Sequence, residues 1–413
     1  MMVNVNRESG IGSRKSAASS VLSAFDFTSS TLAMNSQPER AAMRSSDSRL
    51  TIDDSRQASE APVLIMAGGT GGHIFPGLAV AETLRAQGVP VVWLGAAGGM
   101  ETKVVPAHGI ELHTVAVSGL RGKGLKSRLL APWMLLRALV SSIAVLSKLK
   151  PRSVLSMGGY VAGPGGIAAR LLHRPLLVHE QNRVAGFTNR KLAAHASRVM
   201  AGFADTLPNA QWVGNPVRGS IATLPPPAQR MAGRSGKPRL LVLGGSLGAR
   251  ALNLSVPQAL ADIPAEQRPE VLHQCGSRGI DEARQAYADA GVEARIVPFI
   301  EDMAGTYAWA DLAVCRAGAL TLAELTACGL GAVLVPFPYA VDDHQTRNAE
   351  VLVATGAAEL IQERDLKTKD LAQRLTALLG DRARLLAMAE AAHTLAKPDA
   401  AADIARACVE VAA

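Results

Sequence analysis

The sequence predicts an α/β protein made of two Rossmann-like, doubly wound parallel-sheet domains that face each other across a cleft. Three observations predict it. Short apolar runs alternate with helical patterns of roughly 10–15 residues, the mark of a parallel sheet covered on both faces. A strand, a glycine turn and a helix open the segment from Pro62, and the same arrangement returns at Arg239–Ala249. With 413 residues the chain has room for two to three domains of ~150 residues each.

Composition narrows the classes. Hydrophobic residues at 48% against 19% charged describe a chain that is mostly globular, and 38 glycines beside only 4% aromatics suit tightly packed βα units. The net charge of +8 points toward an anionic partner or surface. Cys275, Cys315, Cys328 and Cys408 have no Cys-x-x-Cys spacing, which argues against a disulfide framework or zinc site and fits a reducing compartment.

In chain order, residues 1–59 are Ser-rich and lack sustained periodicity, so they read as a disordered tail; Val21–Phe27 is too short and broken for a signal sequence. Residues 60–217 form the first domain, with strands expected at Pro62–Ala67, Val91–Gly95, Leu112–Val117, Ser153–Met157, Leu176–His179 and Arg198–Ala201. A helix is expected from Pro76 to Gln87. The segment from Gly214 to Lys237, with Pro225-Pro226-Pro227, reads as a hinge linker. Residues 218–395 form the second domain, with strands at Arg239–Leu243, Glu270–Gln274, Ala294–Pro298, Asp311–Cys315 and Ala332–Pro336. Residues 396–413 are a final helix expected to pack back on the first domain.

Charge is uneven. Between Glu111 and Glu180 there is no acidic residue, while ten Lys or Arg occur there. Leu120, Arg121, Lys123, Leu125, Lys126, Arg128, Leu129, Leu130 and Trp133 interleave basic and apolar groups, a pattern suited to docking on anionic phospholipid. Pro132 fits the first turn of a helix running to about Leu149. That stretch approaches the length of a membrane span, but Pro132 and Arg137 interrupt it, so a buried crossover helix is expected.

Three glycine-rich turns sit at strand ends: Gly68-Gly69-Thr70-Gly71-Gly72-His73, Gly158-Gly159-Tyr160 and Gly244-Gly245-Ser246. Backbone N–H groups at such turns, with a helix dipole behind them, bind anions, so three together imply a phosphate-bearing substrate. The dinucleotide fingerprint needs a glycine where Ile74 stands, and no Gly-Lys-[Ser/Thr] ending marks a P-loop, so NAD and ATP chemistry lose support. His179-Glu180-Gln181-Asn182 is not a zinc helix and reads as strand-end capping or ligand contact. At Arg316–Glu324 a diphosphate could sit on the N–H groups of Ala319–Thr321, with Glu324 on the two ribose hydroxyls; the alternative is an ordinary helix start. Asp342 and Asp343 are read as helix caps rather than metal ligands.

With these motifs in hand, the chain from Pro62 onward resembles the MurG family, bacterial UDP-N-acetylglucosamine:lipid I N-acetylglucosaminyltransferases. The resemblance is carried by GGTGGH at 68–73, SGLRGKG at 118–124, GGYVAGPGG at 158–166, HEQN at 179–182, GNPVR at 214–218, GGSLGA at 244–249, PFIEDM at 298–303 and GALTLAE at 318–324. It implies the GT-B fold and an inverting transfer without metal or other cofactor, from UDP-N-acetylglucosamine to lipid I, giving lipid II. By position it places Thr70, Gly71, Gly72, Asn182, Arg218, Ser246, Ile300, Ala319, Leu320, Thr321, Leu322, Ala323, Glu324 and Gln345 around the donor. Gly72, His73, Gly158, Gly159 and Tyr160 fall to the acceptor diphosphate, His73 is the favoured base and Glu180 the runner-up. It further implies a peripheral location on the cytoplasmic face of the inner membrane, with other cell-wall synthesis proteins as partners and no nucleic acid. Gly331 stands where Pro is expected and Leu247 where Gln is common; neither removes a contact group. The competing readings are another GT-B enzyme, such as a glycolipid synthase or a UDP-N-acetylglucosamine 2-epimerase, and a non-catalytic nucleotide-sugar sensor.

Overall fold

The computed structural model describes residues 61–117, 125–245 and 247–412, without the side chains of residues 125–131. Within these, seven strands form one sheet: β1 (Val63–Ala67), β2 (Val91–Ala96), β3 (Glu111–Val115), β4 (Ser153–Gly158), β5 (Leu176–Glu180), β6 (Arg198–Ala201) and β7 (Gln211–Trp212). Their order is β3-β2-β1-β4-β5-β6-β7, and every pair is parallel. Six more strands form a second parallel sheet: β8 (Arg239–Leu243), β9 (Glu270–Gln274), β10 (Arg295–Val297), β11 (Leu312–Cys315), β12 (Ala332–Leu334) and β13 (Ala358–Leu360). Its order is β10-β9-β8-β11-β12-β13, again parallel throughout.

The central strands are apolar along their whole length because helices cover both faces. β1 reads VLIMA with every residue buried, and alternate side chains enter two separate cores: Val63 and Ile65 on one face, Leu64 and Met66 on the other. β8 divides in the same way, with Leu241 and Leu243 on one side and Leu240 and Val242 on the other. Burying each such side chain contributes on the order of 1.5–3 kcal/mol. The expected strands are all present; β7 and β13 were not expected.

Three helix expectations change. The first helix runs Gly71–Ala86, so it starts five residues before Pro76 and takes His73 into its first turn. The crossover between β3 and β4 is the helix Leu125–Leu149, with Pro132 seven residues in rather than in the first turn. That helix is also not a buried one: by length and composition Pro132–Leu149 could cross a membrane, yet only 17% of it is buried. Ala138, Ser142 and Leu146 form its buried stripe at four-residue spacing, while Trp133, Leu136 and Val140 are exposed. The helix Ala400–Glu410 lies on the first sheet: Ile404, Ala405 and Cys408 join the core built on β1, and Ser153 on β4 donates to the Cys408 carbonyl at 2.7 Å.

Candidate active site

Strand order reverses between β1 and β4 in the first sheet and between β8 and β11 in the second. In open α/β sheets the crevice outside the strand ends at such a switch point is where ligands bind. The turns following β1, β4 and β5 are therefore neighbours, as are those following β8, β11 and β12.

In the first turn Thr70 is the helix N-cap, in extended backbone. Its hydroxyl leaves the helix uncapped and lies 3.2 Å from Nδ1 of His73. The first N–H groups of this helix, at Gly71 and Gly72, have no acceptor one turn back. His73 lies against the second turn: a Cβ on Gly158 would stand 3.0 Å from its Cδ2 and 3.2 Å from its Nε2. Gly159 has φ +87°, and a Cβ there would meet the Gly68 carbonyl at 2.3 Å, so only glycine lets the two turns touch. Desolvation lowers the His73 pKa and the nearby Glu180 carboxylate opposes it, leaving a net downward shift and a neutral ring at pH 7. Tyr160, at the rim of the same turn, is 54% exposed.

Beneath this loop lies a residue that sequence reasoning missed. Glu101 opens the helix Glu101–Ala107 and is fully buried. Its Oε1 accepts from Ala96 N at 2.8 Å and its Oε2 from Gly69 N at 3.3 Å. A Cβ on Gly68, Gly95 or Gly99 would come within 2.4, 2.6 or 2.3 Å of this side chain, so three glycines from three segments make its space. The available signal was an acid placed just after the Gly98-Gly99 turn that ends a strand.

At the end of β5, Glu180 is buried and both its oxygens are engaged. Oε1 accepts from Asn182 N at 3.0 Å; Oε2 accepts from Gly186 N and from Asn189 Nδ2, each at 3.1 Å. This carboxylate braces the loop that carries Asn182. His179 is buried beside the hinge, its Nε2 2.9 Å from the Gly214 carbonyl, and burial pushes its pKa down to about 4. Asn215 Nδ2 donates to the Gln181 carbonyl at 2.9 Å, so the HEQN and GNP segments lock to each other.

In the second domain the helix Ala319–Cys328 begins at the β11 turn with Gly318 as N-cap, placing Ala319, Leu320 and Thr321 in its first turn. Leu322 turns to the core and its N–H donates to the Gly318 carbonyl at 3.0 Å, so it serves packing; Ala323 is half-buried. Glu324 follows, its Oε1 accepting from Arg218 Nη2 at 3.0 Å and its Oε2 from the Tyr307 hydroxyl at 2.8 Å. Ile300, beyond β10, is buried. Gln345, in the first turn of the helix His344–Ala354, accepts from Phe337 N at 2.9 Å. Asp343 accepts from the Thr346 hydroxyl at 2.7 Å. Arg316 donates to the carbonyls of Val335 and Pro336 at 3.1 and 3.2 Å and lies over the Phe337 ring, bracing the strand end next to Gln345. Ser246, Leu120, Arg121 and Lys123 lie outside the described residues; Leu125, Lys126, Arg128, Leu129 and Leu130 occupy the start of the crossover helix, their side chains outside them too.

Asn348 ties the halves together: buried in the second domain, it accepts from Arg183 N at 2.8 Å and donates to the Asn182 side-chain oxygen and the Ala317 carbonyl, each at 3.2 Å. Neither Asn348 nor Tyr307 carried a sequence signal, because their role depends on which loops the fold brings together.

Two parallel-sheet domains with glycine turns at their switch points, and a carboxylate one turn inside the second, define a glycosyltransferase of the GT-B class. The chain belongs to glycosyltransferase family 28: the N-terminal domain of that family matches residues 63–201 and the C-terminal domain residues 239–404. It is 60% identical over 348 residues, 84% of this chain and 81% of the relative, to the UDP-N-acetylglucosamine--N-acetylmuramyl-(pentapeptide) pyrophosphoryl-undecaprenol N-acetylglucosamine transferase of Xanthomonas campestris pv. campestris. The protein of the same name from Alkalilimnicola ehrlichii is 58% identical over 353 residues, 85% of this chain and 99% of that one. The crystal structure of Acinetobacter baumannii MurG matches with a TM-score of 0.75 at 41% identity, covering 85% of this chain and 99% of that chain. The glycosyltransferase VinC, at 17% identity and a TM-score of 0.60 over 85% of this chain and 99% of its own, shares the fold.

Proposed function

We propose that the chain transfers N-acetylglucosamine from UDP-N-acetylglucosamine, with inversion, to the C4 hydroxyl of the N-acetylmuramoyl sugar in lipid I, giving lipid II for peptidoglycan synthesis. The observation that carries this reading is the pair of helix N-termini, at Gly71 and Ala319, set at the two switch points with Glu324 beside the second. The relatives at about 60% identity that bear the name of this transfer support the same substrates.

In this reading the second domain holds the donor. The first-turn N–H groups at Ala319–Thr321 take the diphosphate, Glu324 the ribose, Gln345 the sugar, and the backbone at Ile300 the uracil, with Ser246 on the diphosphate. Thr70, Gly71, Gly72, Asn182 and Arg218 close over the donor, and the turns at 71–73 and 158–160 hold the acceptor diphosphate. As UDP leaves, charge grows on its β-phosphate, and the helix N-termini stabilise it without a metal. His73 is the base: its lowered pKa keeps it neutral and able to accept the hydroxyl proton. Glu180, with its oxygens already engaged, positions the loop. The exposed Trp133, Leu136 and Val140, following the basic stretch, dock the protein peripherally on anionic phospholipid at the cytoplasmic face of the membrane.

Radiolabelled sugar transfer from UDP-N-acetylglucosamine to a short-chain lipid I analogue, with EDTA present, tests donor, acceptor and metal independence together. A labelled disaccharide lipid is the expected product. UDP binding without transfer would move the reading to another acceptor or to a nucleotide-sugar sensor.

A further inference from the structure

We infer that Tyr307 is a positioning residue that sets discrimination for the ribose hydroxyls, by holding the Glu324 carboxylate from inside the second domain. The inference rests on the reading that Glu324 meets the donor ribose.

Tyr307 lies on the short helix Met303–Trp309, whose N-cap Asp302 accepts from Gly305 N at 2.8 Å. Its side chain is fully buried in the core that also contains Leu322, Leu325 and Cys328 of the neighbouring helix. A buried phenol needs a partner for its one polar atom. Here the partner is Oε2 of Glu324, at 2.8 Å. Burial and the adjacent carboxylate raise the phenol pKa well above 10, so the hydroxyl remains a donor at every working pH. The Glu324 side chain is 17% exposed, so one side meets the phenol in the core while Oε1 is reached from the hinge by Arg218.

A carboxylate that accepts two hydroxyls from one ribose must present both oxygens in a fixed plane. Unsupported, a glutamate samples several rotamers and loses that freedom on binding. The phenol removes this cost beforehand by holding Oε2, and Oε2 keeps a second lone pair for ligand. A site built to accept a hydroxyl rejects the analogue lacking it only while the acceptor stays in place. Tyr307 keeps it in place.

The test measures binding of UDP and 2′,3′-dideoxy-UDP by calorimetry to the full chain, as wild type and as Tyr307→Phe. The substitution removes one oxygen and keeps the ring, with folding followed by circular dichroism. The wild type should prefer UDP, and Tyr307→Phe should weaken UDP by about tenfold while leaving 2′,3′-dideoxy-UDP within about twofold. Turnover should show the loss in KM for the donor, with kcat nearly unchanged. In a Glu324→Ala background Tyr307→Phe should have much less effect, because the path runs through the carboxylate. Equal weakening of both nucleotides, or an unchanged preference, overturns the role of Tyr307 alone. A wild type without preference overturns the ribose assignment of Glu324, and this inference with it.

Discussion

At the scale of single residues the site separates groups that do chemistry from groups that hold them. His73 has one ring nitrogen near Thr70, the other beside Gly158, and a lowered pKa. His73→Ala should therefore reduce kcat by about 10²–10⁴-fold with little change in donor affinity. Turnover that survives the substitution removes the base assignment. In the wild type kcat should fall only on the acid side, below the ordinary histidine value of 6.5, as the ring takes its proton. Glu101 belongs to the holding groups. Glu101→Gln replaces an acceptor by a donor, which must face either Gly69 N–H or Ala96 N–H. The expected result is a loss of about 1–3 kcal/mol of stability in urea unfolding, with a weaker grip on the acceptor diphosphate. A variant as stable and active as the wild type would show the loop to be set by its glycines alone.

At the scale of elements, one strand end in the first sheet and one strand in the second bury a neutral histidine. His179 is the penultimate residue of β5 and His273 lies in β9, between Tyr287 and Asn253 at 3.0 and 3.1 Å. Burial lowers both from 6.5 to about 4. The unfolded chain then binds more protons between those values, so stability is fully present above 6.5 and is lost as pH falls toward 4. Each contributes on the order of 3 kcal/mol over that window. Urea unfolding at pH 7 and pH 5 should show a clear drop, and His273→Gln should flatten it; an unchanged midpoint would mean the rings are charged in the fold. The crossover helix makes a second prediction. Trp133→Glu with Leu136→Glu should abolish sedimentation with anionic vesicles while transfer to a soluble acceptor continues, since both side chains are exposed and neither belongs to the core. Retained sedimentation would place the docking surface elsewhere.

Element boundaries also show where the sequence was hard to read. Pro76 and Pro132 each suggested a helix start, by the preference of proline for a first turn. Both helices instead begin earlier and accept proline inside. At Pro76 the carbonyl left without its partner is that of Gly72, in the first turn at the cleft rim, where solvent or ligand can serve it. β7 and β13 escaped notice because they are two and three residues long and lie at sheet edges, where no uninterrupted apolar run is needed. The crossover helix was expected to be buried because Pro132 and Arg137 interrupt a stretch otherwise long enough to span a membrane; its exposed face is a property of what packs against it.

At the scale of the molecule, the last helix crosses back from the second family domain to the first sheet. Ile404 is fully buried against β1 and the helix Gly71–Ala86. Ile404→Ala should cost about 2–5 kcal/mol, read as a lower melting temperature with donor binding preserved. A shift confined to the donor domain would contradict this packing.

By itself the sequence determined the two parallel sheets, most of their strands, the glycine turns and the family, because these rest on local pattern: apolar runs, periodicity and short motifs. Only the tertiary structure decided that Glu101 lies under the first loop, that Glu180 is spent on bracing, that Tyr307 backs Glu324, and that Asn348 bridges the halves. Apart from the local contacts of Glu180, those pairings join residues 17 to 166 positions apart. The physical reason is that a hydrogen bond across such distances depends on how two packed elements are oriented, and no local pattern encodes that.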